Sequence, residues 1–169
     1  MYLKATIYLP LNIQVKFMKV SIGSDHRGID ARHQVAQILE TLGHSVDDCG
    51  TDSSGSVDYP DIAAQVAEKV SAGVSDRGIL ICGTGIGMSL AANKFRGVRA
   101  AVCQDELFAE ISRRHNDLNI LCLSGDTISQ NALPRIIETW MKTPFDGGRH
   151  QVRIDKIKAL EDRNFKPKN

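Results

Sequence analysis

The sequence predicts a doubly wound α/β domain: five parallel strands, helices on both faces and one more helix at the C-terminus. Three observations carry that expectation. Short β-rich runs alternate with helical stretches along the chain, the pattern that buries a parallel sheet between helices. Glycine or proline punctuates many of the boundaries. The 169 residues, 42% hydrophobic and 24% charged, suffice for one domain with a sizeable core.

The elements follow in order. Lys19–Gly23 (KVSIG) is short, β-rich and closed by glycine. From Gly28 to Leu42 apolar residues recur at helical spacing (Ile29, Val35, Ile38, Leu39, Leu42), and Gly43 ends the run. Ser45–Cys49 reads as a second strand and GTDSSGSVDYP as a loop; Pro60 fits the first turn of a helix reaching Ala72. Arg77–Cys82 (RGILIC) is a buried strand, Gly83–Gly87 a glycine-rich loop and Met88–Asn93 a helix. Val98–Val102 is the fourth strand, Glu106–His115 a helix, Ile120–Leu123 the fifth strand and Ser129–Met141 a further helix. After Pro144, Gly147 and Gly148, the last helix covers Val152–Arg163.

Composition excludes several classes. Lys and Arg total 21 against 20 Asp and Glu, so the net charge is +1, without the basic surplus of a nucleic-acid binder. Aromatic residues make up 5%, too few for base-stacking platforms. No run of 18 apolar residues marks a membrane span. The four cysteines, at 49, 82, 103 and 122, form no CxxC pair, so neither a disulfide framework nor structural zinc is expected, and a cytoplasmic setting is. Residues 1–17 carry only Lys4 and Lys16 as charges and make a poor secretory signal. They read as an upstream extension before a single domain over 18–169, with Met18 as the natural start; an edge strand or interface arm is the alternative.

In a doubly wound, Rossmann-like sheet, ligands bind at the carboxyl ends of strands near a topological switch point. That rule selects Ser24–Gly28, Thr51–Pro60, Cys82–Gly87 and the region around His115–Asn116. CGTGIG carries glycines at 83, 85 and 87 before a helix, which fits an anion hole of backbone N–H groups or a tight turn. Met88 breaks the dinucleotide pattern G-x-G-x-x-G. Cys82 abuts that helix start, an environment that favours thiolate, as a nucleophile or general base; a core cysteine is the plain alternative. Asp25-His26 is a weak motif, equally a capping Asp beside a surface His. His115-Asn116 fits a helix C-terminus. Arg149 and Arg153 in GGRHQVR share a face at a helix start, where cations are unfavourable without an anion, so they read as a phosphate clamp or a solvated cluster. No HExxH or His/Asp cluster suggests a metal.

The runs SDHRG, DYP, GILICGTGIGMSLAANK, SRRHND and GGRHQVR, in order between Met18 and Asp162, resemble the ribose-5-phosphate isomerase B family, which includes galactose-6-phosphate isomerase subunits. The resemblance implies aldose–ketose isomerisation of a sugar phosphate through an enediolate, without metal or cofactor. It implies a homodimer or tetramer in which two subunits complete each site. It makes Cys82 the base moving a proton between C2 and C1. Some members carry Ser there and use a loop Glu, but that loop position is Ile86 here. Thr84 and the amides of Gly83, Gly85, Ile86 and Gly87 would hold the enediolate oxygen. His115 would open the furanose ring and Asp25 orient the sugar. His26, Arg149 and Arg153 would bind phosphate, Asn116 the sugar or loop, and Tyr59 line the pocket. One departure stands out: where several members carry a basic residue after strand five, this chain has Asp126, which would repel a nearby phosphate. A tetrose or hexose phosphate as substrate, and a non-catalytic phosphate- or nucleotide-binding module, are the alternatives.

Overall fold

The computed structural model describes residues 17–165, so the expected upstream extension lies, apart from Phe17, outside the described residues. Five strands, β1 Lys19–Ser24, β2 Ser45–Asp48, β3 Arg77–Cys82, β4 Ala100–Val102 and β5 Ile120–Ser124, form one parallel sheet in the order β2-β1-β3-β5-β4. The helices are α1 Ile29–Thr41, α2 Tyr59–Ser71, α3 Ile86–Ala92, α4 Glu106–Asn116, α5 Leu133–Lys142 and α6 Arg149–Asn164. The chain reverses direction across the sheet between β1 and β3, the switch point expected to carry the site. None of the described helices is long and apolar enough to cross a membrane.

Strand alternation divides the core into two layers. Ile79, Ile81, Leu121 and Leu123 point to the α1, α4 and α5 side, where they meet Val35, Leu39, Ile136 and Trp140. Leu80, Cys82, Ile120 and Cys122 point to the α2 and α3 side, against Ile62, Val66 and Met88. Glycine on the strands lets α2 approach: a Cβ on Gly23 would lie 2.7 Å from Ile62, and one on Gly78 would lie 2.8 Å from Val66.

The two sheet edges are short. β2 has four residues and ends in Asp47-Asp48. β4 has three, and its outer edge is occupied by a side chain: Asn93 Nδ2 donates to the Ala100 carbonyl at 2.7 Å, and Asn93 Oδ1 accepts the Ala100 N–H at 2.9 Å. Beyond that edge α6 is tied down by the Arg96–Asp162 ion pair and by Gly97 N–H donating to Glu161 at 2.8 Å.

β4 starts at Ala100 rather than Val98, most other ends shift by a single residue, and three helix starts differ by more. α5 begins at Leu133, not Ser129, because Ser129 Oγ and carbonyl accept the N–H groups of Asn131 and Ala132 in a turn. α3 begins at Ile86, so Ile86 and Gly87 belong to the helix rather than the loop. α6 begins at Arg149, straight after Gly147 and Gly148 at φ +63° and +56°.

Candidate active site

At the carboxyl edge of the sheet, the ends of β1, β3 and β5 converge. Asp25 N–H donates to the Ile81 carbonyl at 3.2 Å, which seats the β1–α1 loop against the end of β3. Asp25 is buried, and its Oδ1 accepts the Arg27 N–H. Cys82 is 5% exposed, and its Sγ accepts the Gly85 N–H at 3.2 Å. Gly85 reaches that position at φ +76°, with Leu123 O 3.0 Å from where a Cβ would sit. Thr84 is exposed, and its Oγ1 accepts the Ile86 N–H at 3.3 Å. Ser124 Oγ donates to the Gly83 carbonyl at 2.6 Å and fixes the first loop residue. Tyr59 packs over the helix start: a Cβ on Gly87 would lie 2.6 Å from its ring. His26 turns toward the β2–α2 loop, its Nδ1 accepting the Val57 N–H at 3.3 Å. One edge thus gathers a thiol, a ring of backbone donors, a carboxylate, an imidazole and a phenol.

His115 and Asn116 are not there. A helix following a parallel strand runs back across the sheet, so the end of α4 lies at the opposite, amino edge. Asn119, three residues beyond α4, accepts the Gly78 N–H through its carbonyl at 2.8 Å, and Arg99 Nε donates to the Asn116 carbonyl. From Gly78 to Cys82 is four strand steps, roughly 13 Å. The expectation that His115–Asn116 joins the carboxyl-edge segments is therefore corrected for a single chain. Asn116 instead borders a cavity of about 350 Å³ beside β4, lined also by Arg99, Ser112 and Ile157.

His115 has its own neighbours. Its ring stacks on that of His150 at 4.2 Å between centroids, 4° from parallel. His150 is buried, and its Nε2 accepts from Arg149 Nε at 3.4 Å. Burial, then the charges of His115, Arg149 and Arg153, hold His150 below the usual imidazole range. Arg149 and Arg153 are exposed on the first turns of α6 and have no carboxylate partner among the described residues. This corrects a second expectation, because a His/Asp cluster does exist: His115, Asp146 and His150 bring ligand atoms within 4.8 Å of one another. Three separate positions supply it, which no short motif could show. Asp146 is already engaged by Arg114 at 3.1 Å, and parallel stacked rings aim their nitrogens side by side rather than at one point.

The remaining cysteines behave differently from one another. Burial pushes the Cys103 and Cys122 thiols up, keeping them protonated in the core. Cys49 is only half-buried and accepts from Lys69 at 3.0 Å. Asp126 does not stand as a bare negative charge: it pairs with Arg27. Sequence reasoning passed over Arg27, His150 and Arg32. The first two adjoin residues that were singled out. Arg32, buried in α1, grips Asp48, Asp52 and the Thr51 carbonyl; it stands three residues from both Ile29 and Val35, so helical periodicity places it on the buried face, and that was the signal for it.

Comparison with known proteins identifies this arrangement. The Ribose/Galactose Isomerase family matches residues 20–157. The ribose-5-phosphate isomerase B of Escherichia coli is 44% identical over 145 residues, covering 86% of this chain and 97% of that protein. The structure of Clostridium thermocellum ribose-5-phosphate isomerase B superposes with a TM-score of 0.84 at 48% identity, covering 86% of this chain and 99% of that one. That of Mycoplasma genitalium ribose-5-phosphate isomerase B, solved with bound ribulose 5-phosphate, gives a TM-score of 0.84 at 40% identity, covering 89% and 99%.

Proposed function

The chain belongs to the ribose/galactose isomerase family, and from that premise we propose that it interconverts ribose 5-phosphate and ribulose 5-phosphate. The reaction is a proton transfer within the open-chain sugar. Cys82, as thiolate, takes the proton from C2 of the aldose and returns it to C1 of the enediolate, while the hydroxyl proton of O2 passes to O1. Thr84 and the loop amides from Gly83 to Gly87 stabilise the oxygen on which charge develops, the Gly85 and Ile86 N–H groups turning to it from Cys82 Sγ and Thr84 Oγ1. Asp25 orients the sugar hydroxyls and Tyr59 lines the pocket. His115 opens the furanose ring, Asn116 contacts the sugar or loop, and His26, Arg149 and Arg153 bind phosphate.

The single observation that carries this reading is Cys82 at the end of β3, with its sulfur held on the Gly85 amide at the sheet's switch point. A general base needs a fixed position within hydrogen-bond reach of its proton, and this loop supplies one. The separation of Cys82 from His115 supports a further element of the reading. Each site is completed by two subunits of a homodimer or tetramer, the carboxyl edge of one facing the His115–Arg153 cluster of the other. The exposed apolar residues Ile86, Leu90, Leu107 and Phe108 on α3 and α4 offer surface for such contact.

The test is turnover of ribose 5-phosphate by purified, chelator-treated protein, alongside tetrose and hexose phosphates. Conversion to ribulose 5-phosphate is expected, with Cys82→Ala slower by about 10²–10⁴-fold, the usual contribution of a general base. Normal turnover by Cys82→Ala overturns the assignment of the base. Preference for another chain length overturns the substrate.

A further inference from the structure

Arg27 and Asp126, 99 positions apart, meet across the Cys82 loop. Arg27 follows Asp25 and His26, and its backbone is fixed by the 2.9 Å bond from its N–H to Asp25 Oδ1. Its guanidinium is gripped along one edge only: Nε donates to Asp126 Oδ1 at 3.3 Å, and Nη2 donates to Asp126 Oδ2. The carboxylate is itself held in place, because Gly125 N–H donates to the Cys82 carbonyl at 2.8 Å and Asp126 N–H to the Gly83 carbonyl at 3.3 Å.

The pair lies directly on the loop. A Cβ on Gly83 would stand 3.1 Å from Arg27 Nε and 3.0 Å from Asp126 Oδ2. The β1–α1 and β5–α5 loops are equally close, since a Cβ on Gly125 would stand 2.5 Å from the Arg27 carbonyl oxygen. Yet the Arg27 side chain is 57% exposed, and Nη1 has no acceptor among the described residues. A guanidinium presents its donors in a rigid fork, so one occupied edge fixes the direction of the rest.

We propose that Arg27 is a ligand for the phosphate of the sugar substrate, with Asp126 as its positioning residue. Asp126 occupies the Nε/Nη2 edge, and the Nη1 side is left to donate to phosphate oxygens at the mouth of the Cys82 loop, next to His26. The carboxylate that sequence alone marks as hostile to an anion thus has the opposite effect. It holds a cation in one rotamer before the substrate arrives, which lowers the ordering cost of binding. The inference rests on the isomerase reading and adds to it a cation supplied by the β1–α1 loop.

Steady-state kinetics of Arg27→Ala, Asp126→Asn and the double variant test it. Arg27→Ala should raise KM for ribose 5-phosphate by at least about tenfold, the loss of a charge-assisted hydrogen bond, with kcat changed far less. Inorganic phosphate, as a competitive inhibitor, should weaken by the same factor. Asp126→Asn should raise KM by less, and adding it to Arg27→Ala should cost nothing further, because Asp126 acts through Arg27. Thermal midpoints should stay close to wild type, since an exposed pair contributes little stability. If Arg27→Ala leaves KM and phosphate inhibition within about twofold of wild type, the proposal is overturned. It is also overturned if both single variants lose kcat and thermal midpoint in parallel, the pattern of a mere loop latch. Should the wild type turn over no sugar phosphate, the isomerase reading fails by itself, and calorimetry of inorganic phosphate on wild type and Arg27→Ala still decides the role of Arg27.

Discussion

Mixing two inactive variants tests the proposed division of the site between chains. Cys82 ends β3 and His115 nearly ends α4, on opposite edges of the sheet. Four strand steps put roughly 13 Å between those edges, whereas a general base works within about 3 Å of its proton. Cys82 and His115 of the same chain therefore cannot act on one pentose phosphate. Co-refolding Cys82→Ala with His115→Asn at equal concentration makes half of the dimers mixed. In a mixed dimer one site pairs both lesions, and the other pairs intact Cys82 with intact His115. Half of the dimers with one of two sites working gives about one quarter of wild-type activity, from parents each reduced by about 10²-fold or more. The assay is ribulose 5-phosphate formation against the mixing ratio, which should follow a parabola peaking at equal amounts. Activity that stays at the parental level at every ratio refutes the reasoning, because sites within one chain cannot complement.

Two further predictions rest on local physics. Gly85→Ala places a side chain at φ +76° with Leu123 O only 3.0 Å from the new Cβ, so it should cost at least about 1–2 kcal/mol and lower the thermal midpoint by roughly 3–8 °C; an unchanged midpoint in calorimetry would mean the loop has room it does not show. Acidification should destabilise the fold through two histidines. Burial, then Arg77, lowers the pKa of His44, whose ring nitrogens lack partners among the described residues, and burial also leads the causes that lower His150. Both then bind protons more weakly folded than unfolded, so stability is full above an unfolded pKa of about 6.5 and is lost as pH falls through the folded values. Asp47 and Asp52, lowered mainly by hydrogen bonds from Lys69 and from His33 and Arg32, add their loss only below about pH 4. Urea midpoints at about pH 7.5 and about pH 5.5 isolate the histidine contribution; equal midpoints would contradict it.

The sheet was legible because its signals are local. β3 needs only the run RGILIC, and its bounds Arg77–Cys82 match expectation, as do the starts of β1, β2 and β5. The turn over Ser129–Ala132 was misread because polar and apolar residues there mimic helical spacing while Ser129 competes for the backbone N–H groups. The Cys82 loop and the Asp25-His26 pair were recognisable, as strand ends followed by glycine or by titratable residues. His115 was assigned to the wrong edge although the reason was available: a crossover helix returns toward the start of the next strand. The Arg27–Asp126 pair and the His115–His150 stack were beyond sequence reading, since each joins residues from loops or helices far apart in the chain.

The protected rims of the sheet bear on how this molecule meets others of its kind. A long open strand is a template for uncontrolled pairing, and aggregation commonly starts there. Here one rim strand ends in two aspartates, and the other has its outward N–H and carbonyl at Ala100 already satisfied by the amide of Asn93, a side chain imitating a sixth strand. Among the described residues, two aspartates on one rim and the Asn93 amide on the other thus oppose extension of the sheet from chain to chain. Contact between copies is left to helices and loops, where shape and charge select the partner.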